Sequence, residues 1–330
     1  MNYIMGIEST AHTFAVGIVN ENFEILADIR YIYRPRRSMG IEPREAAEHH
    51  SKIAAKAVKE ALSTAKISLE DISAIAYSYG PGLGPCLRIG ATISRFLAAY
   101  YDIPLYPVHH GLGHVELACQ LLGINDPMVV LVSGGHTAIL GFSEGRWRVY
   151  GETLDITLGN LLDSFAREAG IPFPGGPKIE EIARKGKRYI EMPYAVKGNN
   201  IVYSGLLTYA IDMLRKYPLE DVCYSLQETA FSALVEACER ALVQLKKRDI
   251  IIAGGVAPNN RLLEMMKKMG EQHMVGVHRL ESRYNPDNGI QIAIVGLLYY
   301  KSGYPPTEPS KAIIKQRVRI EREEVPWRKC

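Results

Sequence analysis

The 330-residue sequence contains five cysteines, and no two of them form a Cys-x-x-Cys pair: Cys86, Cys119, Cys223, Cys238 and Cys330 are scattered along the chain. That spacing excludes a zinc knuckle and a disulfide framework, and it reads as a protein of a reducing, cytoplasmic compartment. Apolar runs are broken by Gly, Pro or a charge well short of the ~18 residues a membrane span needs, so no membrane association is expected. The opening MNYIMGIEST has no basic segment followed by an apolar one, so no secretion signal is read there. An excess of one charge is missing too. The net charge of +3, from 39 Lys and Arg against 36 Asp and Glu, does not announce a nucleic-acid partner. Basic residues do concentrate in Arg34-Pro35-Arg36-Arg37 and in a tail carrying Lys315, Arg317, Arg319, Arg322, Arg328 and Lys329, diluted by Glu321, Glu323 and Glu324. A solvated surface accounts for both as well as an RNA-contacting patch does.

Several signatures of chemistry are absent as well. There is no GxxxxGK[ST] phosphate loop, and no GxGxxG opens a βαβ unit. A zinc-protease helix needs His-Glu-x-x-His, but Gly111 follows His110.

What is present is a repeat. Tyr3–Ile7, a turn at Ser9–Thr13, a strand at Phe14–Val19 and a third strand within Phe23–Tyr33 match Val129–Val132, a turn at Ser133–Thr137, a strand at Ala138–Phe142 and a third at Arg146–Tyr150. Set side by side, STAHTFAVG and SGGHTAILG pair Ser9 with Ser133, His12 with His136, Thr13 with Thr137 and Gly17 with Gly141. Each hairpin unit is followed by helices, the first over Arg44–Thr64 and a later one over Val222–Lys246, whose apolar residues recur at helical spacing. Each half then has a strand ending in a Gly-rich turn: Ile72–Ser78 before GPGLGP, and Asp249–Ala253 before GGVAPNN. At 47% apolar and 23% charged residues, the length suits two domains. The duplication predicts an α/β protein of two facing mixed lobes, residues 1–124 and 125–330, with a ligand cleft between them.

The Gly-rich turns fit that cleft. In Ser133-Gly134-Gly135-His136-Thr137 the backbone can approach an anion and turn successive N–H groups toward it. Asn259 in GGVAPNN can offer both a donor and an acceptor to a nucleoside. Gly175-Gly176-Pro177 opens a helix at Lys178–Arg184 whose N-terminus favours an anion. Any one such turn alone is more simply structural.

Three of the nine histidines fall in PVHHGLGHVE. His110 and His114, four apart, share one helix face and can reach one ion, whereas His109 diverges from His114. Gly111 and Gly113 are poor helix formers, so the chain there is irregular or closely packed. A third ligand has a candidate in Asp287, just before a helix at Ile290–Tyr300, although capping that helix is its simpler role. Two His and one carboxylate leave open positions for Lewis-acid chemistry. His49-His50 lacks an i, i+4 histidine partner and reads as surface or structural.

GIESTAHT, EAAEHH, GPGLGPCLRIG, HHGLGHVE, LVSGGHT, FPGGPKIE, YSGLLT, GGVAPNNRL and DNG, in this order from residue 4 to about residue 320, resemble the universal tRNA threonylcarbamoyladenosine transferase family. The AHT near the start and the short C-terminal region look like its archaeal and eukaryotic branch, the catalytic subunit of the KEOPS complex; the bacterial branch is the alternative. The resemblance implies an actin-like, Hsp70-type ATPase fold and transfer of a threonylcarbamoyl group from L-threonylcarbamoyl-adenylate to the exocyclic amine of the adenosine beside the anticodon of ANN-reading tRNAs, with AMP leaving. It implies one iron or zinc ion on His110, His114 and Asp287. It implies an adenylate site, for threonylcarbamoyl-AMP or ATP, at Leu131, Val132, Ser133, Gly134, Gly135, Asp163, Gly176, Glu180 and Asn259. The implied partners are tRNA, a small protein kinase/ATPase, a dimerising subunit and a kinase-bound regulatory subunit. Leu131 stands where relatives often carry Tyr, His109 where they carry Asn and Ser9 where they carry Gly. Glu8 and His12, placed at the cleft by the duplication, are candidates for acid–base work. The rival readings are an ATPase or sugar kinase of the same fold, and a binding subunit inactive without partners.

Overall fold

A computed structural model describes residues 1–34 and 40–328. Pro35, Arg36 and Arg37 of the basic loop, and Lys329 and Cys330, lie outside the described residues. The first half runs β1 (Tyr3–Glu8), β2 (Thr13–Asn20), β3 (Ile25–Ile32), α1 (Pro43–Ala65), β4 (Ile72–Gly80), α2 (Gly84–Tyr101), β5 (Leu105–His109) and α3 (His110–Leu122). The second half runs β6 (Met128–Val132), β7 (Thr137–Ser143), β8 (Arg146–Glu152), α4 (Leu158–Glu168), α5 (Gly175–Ala183), the short pair β9 (Val196–Lys197) and β10 (Asn200–Ile201), α6 (Ser204–Met213), α7 (Leu219–Leu245), β11 (Asp249–Ala253), α8 (Asn260–His273), β12 (Gly276–Arg279) and α9 (Gly289–Lys301).

Both halves build a five-stranded mixed sheet. The orders β3-β2-β1-β4-β5 and β8-β7-β6-β11-β12 are the same arrangement of equivalent strands. The duplication expected from the hairpins is therefore present, extended by β5 and β12, which pair parallel to β4 and β11. Sequence periodicity does not show β5, because Pro107 interrupts LYPVH; an edge strand tolerates the missing N–H.

Strand β2 is buried on both faces because α1 covers one and α9 the other, so TFAVGIVN reads as a continuous apolar run rather than an alternating one. Helix α9 is apolar around its circumference and is buried from Gly289 to Tyr299, as a helix between layers must be. Although it belongs to the end of the chain, α9 packs on β1, β2 and β4 of the first sheet and against α3. The fit depends on three glycines. The β1–β2 register sets Gly6 opposite Gly17. A Cβ on Gly6 would lie 2.2 Å from Ala293 N, one on Gly17 2.4 Å from Ile290 N, and one on Gly289 2.1 Å from Gly17 N. The helix thus rests directly on strand backbone. Beyond α9 the chain returns along the first sheet: Lys315 N–H donates to Tyr79 O (2.7 Å), and Tyr77 Oη–H to Ile313 O (3.0 Å). Two members of the basic tail are ion-paired, Arg319 with Glu152 and Glu321, and Arg328 with Glu116. Among the described residues no helix is long and apolar enough to cross a membrane.

Candidate metal centre and nucleotide cleft

Helix α3 starts directly at the end of β5. His109 is its N-cap: Nδ1 accepts the Leu112 N–H (3.3 Å), so the ring proton sits on Nε2, which faces Val318 O at 3.3 Å. His109 is thereby a buried pin in the backbone, with both ring nitrogens committed. His110 and His114 follow on a regular helix despite Gly111 and Gly113; the missing Cβ at Gly113 admits Gln291, whose Cγ would sit 3.1 Å from it.

Asp287 comes to the same point from the segment before α9. It is not the cap of that helix. Asn288 takes that role, accepting the Gln291 N–H at 2.8 Å, which leaves the Asp287 carboxylate free to turn toward the histidines. Asp287 Oδ1 lies 3.5 Å from His110 Nε2 and 3.3 Å from His114 Nε2, and the three donors lie within 4.8 Å of one another. Those spacings are long for charge-assisted hydrogen bonds. The two Asp287–histidine spacings suit ligands of one ion, since a tetrahedron with bonds of about 2.1 Å separates its ligands by about 3.4 Å.

The surroundings hold His110 in a ligating orientation. Its Nδ1–H donates to Glu8 Oε2 at 2.9 Å, with Thr10 Oγ1 at 3.3 Å; the Gln291 amide nitrogen, 3.2 Å away, is itself a donor and packs against the ring edge without accepting from it. This fixes the tautomer and leaves Nε2 toward Asp287. Glu8 is fully buried, and its second oxygen accepts the Thr10 N–H at 2.6 Å. Burial opposes charge on the His110 imidazole, but the Glu8 and Asp287 carboxylates outweigh it and lift its pKa to about 9. Burial pushes His114 down, and burial with the neighbouring His110 pushes His136 down to about 3. Burial would raise Asp287, but His110 and His114 hold it below the usual carboxylate range. His136, in the turn after β6, has its ring 6.2 Å from His110, and its buried Nδ1 finds no hydrogen-bond partner among the described residues. The second lobe's Gly-rich turn therefore adjoins the triad of His110, His114 and Asp287.

That turn is tightened by Ser133 Oγ, which accepts the Gly135 and His136 N–H groups, while Thr157 Oγ1–H donates to Gly134 O. Gly134 and Gly135 face open space. Leu131 and Val132 are buried at the end of β6. Asp163 on α4 accepts the Gly175 N–H at 2.8 Å, pinning the start of α5 beside Gly176, and burial raises its pKa. Glu180 accepts from Arg184, at 2.8 Å, and from the Asn260 backbone and side chain, at 3.2 and 3.1 Å. It lines a cavity between α5, α7 and α8 together with Tyr224, Gln227 and Arg261. Both ends of the Asn259 amide are committed: Oδ1 caps α8 through the Leu262 N–H (3.0 Å), and Nδ2 donates to Gln227 Oε1 (3.1 Å). His12 is half-buried and stands edge-on to Phe173 of the other half, ring centres 5.7 Å apart. His50 is fully buried and structural, its Nε2 3.0 Å from Ala11 O.

Thr10, Gln291 and the placement of His136 beside His110 are not legible in the sequence as site features. In the sequence His136 stands out through its match to His12 in the repeat and its place in the Gly-rich turn.

The family model TsaD, tRNA N6-adenosine threonylcarbamoyltransferase, matches residues 24–294. A protein of that name from Caldivirga maquilingensis is 49% identical over 325 residues, covering 98% of each chain. One from Thermofilum pendens is 48% identical, covering 98% of this chain and 97% of the other. Among solved structures, HypF of T. kodakarensis superposes with a TM-score of 0.65 at 14% identity, covering 93% of this chain and 49% of that one. Component A of the Acidaminococcus fermentans (R)-2-hydroxyglutaryl-CoA dehydratase gives 0.54 at 15% identity, covering 90% and 98%. These two share the fold alone, the duplicated actin-like arrangement.

Proposed function

The chain belongs to the tRNA N6-adenosine threonylcarbamoyltransferase family, and on that premise we propose that it moves the threonylcarbamoyl group of L-threonylcarbamoyl-adenylate onto the N6 amine of the adenosine beside the anticodon of ANN-reading tRNAs, releasing AMP. The observation that carries the site assignment is the convergence of His110, His114 and Asp287 next to the open Gly134-Gly135 turn. His110, His114 and Asp287 would hold one iron or zinc ion, which supplies Lewis acidity toward the carbonyl being transferred. Leu131 cannot act as a ligand, so the protein provides three.

The chain's own residues do the remaining work. Glu8 holds the His110 ring by its Nδ1–H rather than meeting substrate. Leu131, Val132, Ser133, Gly134 and Gly135 present backbone to the adenylate phosphate, and Gly176 lets the start of α5 approach it. Asp163 and Glu180 stand where ribose hydroxyls can donate, while Asn259 supports that wall by capping α8. With Glu8 buried, His12 is the remaining acid–base candidate for the proton of the attacking amine. The lobes are residues 1–124 and 125–330, with α9 crossing back to the first. The chain works in the cytoplasm on tRNA, with the kinase/ATPase, dimerising and regulatory subunits of a KEOPS assembly.

The test is purified chain with tRNA, labelled threonine, bicarbonate, ATP and the donor-making synthase, with and without partner subunits. His110→Ala and His114→Ala are expected to abolish label on tRNA while the fold survives; full transfer by the metal-free double variant refutes the metal role. Phosphate release without label favours an ATPase.

A further inference from the structure

Glu116 lies on α3 two residues beyond His114, and it is 2% exposed. A carboxylate buried there needs partners, and the end of the chain supplies most of them. Arg328 grips it bidentately, Nε–H to Oε1 and Nη2–H to Oε2, both at 2.9 Å. Trp327 Nε1–H donates to Oε2 at 3.1 Å, and Trp147 Nε1–H of β8 to Oε1 at 2.7 Å. The Arg328 guanidinium also makes cation–π contacts, 4.8 Å from the ring centre of Trp147 and 5.4 Å from that of Phe142 of β7. Trp327 stands edge-on to Tyr299 of α9 at 4.9 Å. One tetrapeptide, Val325–Arg328, thus ties α3 to the β7–β8 hairpin and to α9.

The same tail meets α3 at a second point. Val318 O accepts from His109 Nε2. The two attachments bracket the histidine pair: His109 immediately precedes His110, and Glu116 closely follows His114. Asp287, the third donor, is carried by the segment leading into α9. Its distance from the histidines is therefore set by how α3 and α9 are held together, and Trp327 and Arg328 touch both helices or their shared neighbours.

We propose that Trp327 and Arg328 are positioning residues for the metal centre: by clamping Glu116 they fix the setting of α3, and with it the spacing of His110 and His114 from Asp287. The proposal rests on the reading of that triad as a metal site. A guanidinium is required rather than a plain cation, because only its planar fork can pair with both carboxylate oxygens at once.

The probe is cobalt(II), titrated into metal-free full-length chain and followed by its visible absorption, which reports both affinity and ligand geometry. Arg328 cannot simply be removed, since an unpaired buried Glu116 threatens the fold. The double variant Glu116→Gln/Arg328→Met removes both charges and keeps the volume. It is expected to melt below the parent temperature, because the Gln amide can accept from only one of the two indoles, to bind cobalt at least tenfold more weakly, and to show an altered spectrum. Arg328→Lys keeps the charge but loses the fork, and is expected to loosen binding in the same direction. Phe231→Leu, in the core beneath the second sheet, serves as a remote destabilised control and is expected to leave affinity and spectrum unchanged. Parent affinity and spectrum in the double variant overturn the proposal, as does full rescue by Lys or equal weakening in Phe231→Leu. His114→Ala separates the two levels of inference: if it retains the parent's cobalt affinity and spectrum, the metal reading itself fails.

Discussion

Gly17→Ala places one methyl group between β2 and the start of α9, far in sequence from any donor atom of the candidate metal centre. The added Cβ would lie 2.4 Å from Ile290 N, 2.5 Å from Gly289 C and 2.8 Å from Ile290 Cα, where ordinary contact begins at 3.4 Å. The shortfall is about 1 Å, and every opposing atom is backbone, so no side chain can rotate away. Strand β2 is held on both sides by its neighbours in the sheet, leaving α9 as the element that must move. Overpacking of this kind costs about 2–3 kcal/mol. The displacement also reaches Asp287, two residues before Gly289, and a site that needs its groups within about 0.5 Å loses ligand affinity when one donor shifts by twice that. Gly17→Ala should therefore lower the urea midpoint of the metal-free chain by an amount corresponding to that cost and weaken cobalt(II) binding about tenfold. Gly205→Ala, on α6 where nothing lies within 4 Å, is the control and should keep the parent's metal affinity and gain up to about 1 kcal/mol of stability from helix propensity. Parent-like stability and metal affinity in Gly17→Ala would refute the reasoning.

Glu8→Gln preserves shape but replaces the carboxylate that orients His110, and it should reduce metal affinity by about 10–100-fold with little change in melting temperature, measured by competition with a chromogenic chelator; unchanged affinity counts against the assigned role. His50 is not one of the three ligands: burial lowers its pKa to about 4 from the 6.5 of an exposed ring, so the unfolded chain binds a proton that the folded chain refuses. The resulting stability is fully present above pH 6.5 and is lost as pH falls toward about 4, contributing up to about 1.4 kcal/mol per pH unit. His50→Gln, whose amide can still donate to Ala11 O, should flatten the pH dependence of urea unfolding by that amount over this range, and an unchanged slope would show that His50 is not a source of it.

The duplicated hairpins, α1, α7 and the strands entering the Gly-rich turns were legible because their periodicity is set by local burial. The fifth strands were not: LYPVH carries a proline and GVHR is only half-buried, and both are recruited by the neighbouring strand rather than by their own pattern. In Asp287-Asn288 either residue can cap a helix, and local chemistry does not decide between them; the fold does, by giving Asn288 the cap and Asp287 to the histidines. Gly111 and Gly113 read as helix-weakening because propensity does not know that Gln291 needs the space. Glu8 and His110 meet across a separation of 102 residues, and Glu116 and Arg328 across 212, so nothing within a sequence window reports either contact.

The crossing of α9 also sets an order of events for the chain on the ribosome. β1, β2 and β4 are complete once Gly80 has been made, yet the helix that covers one face of them begins at Gly289. At typical rates of synthesis that face, with Ile4, Val19, Ala74 and Ala76 on it, waits on the order of 10–40 s for its cover. During that interval the nascent first lobe is a client for a chaperone and a hazard for aggregation. A chain released before Gly289 keeps the apolar face permanently open, so the two lobes, alike as they are, mature together or not at all.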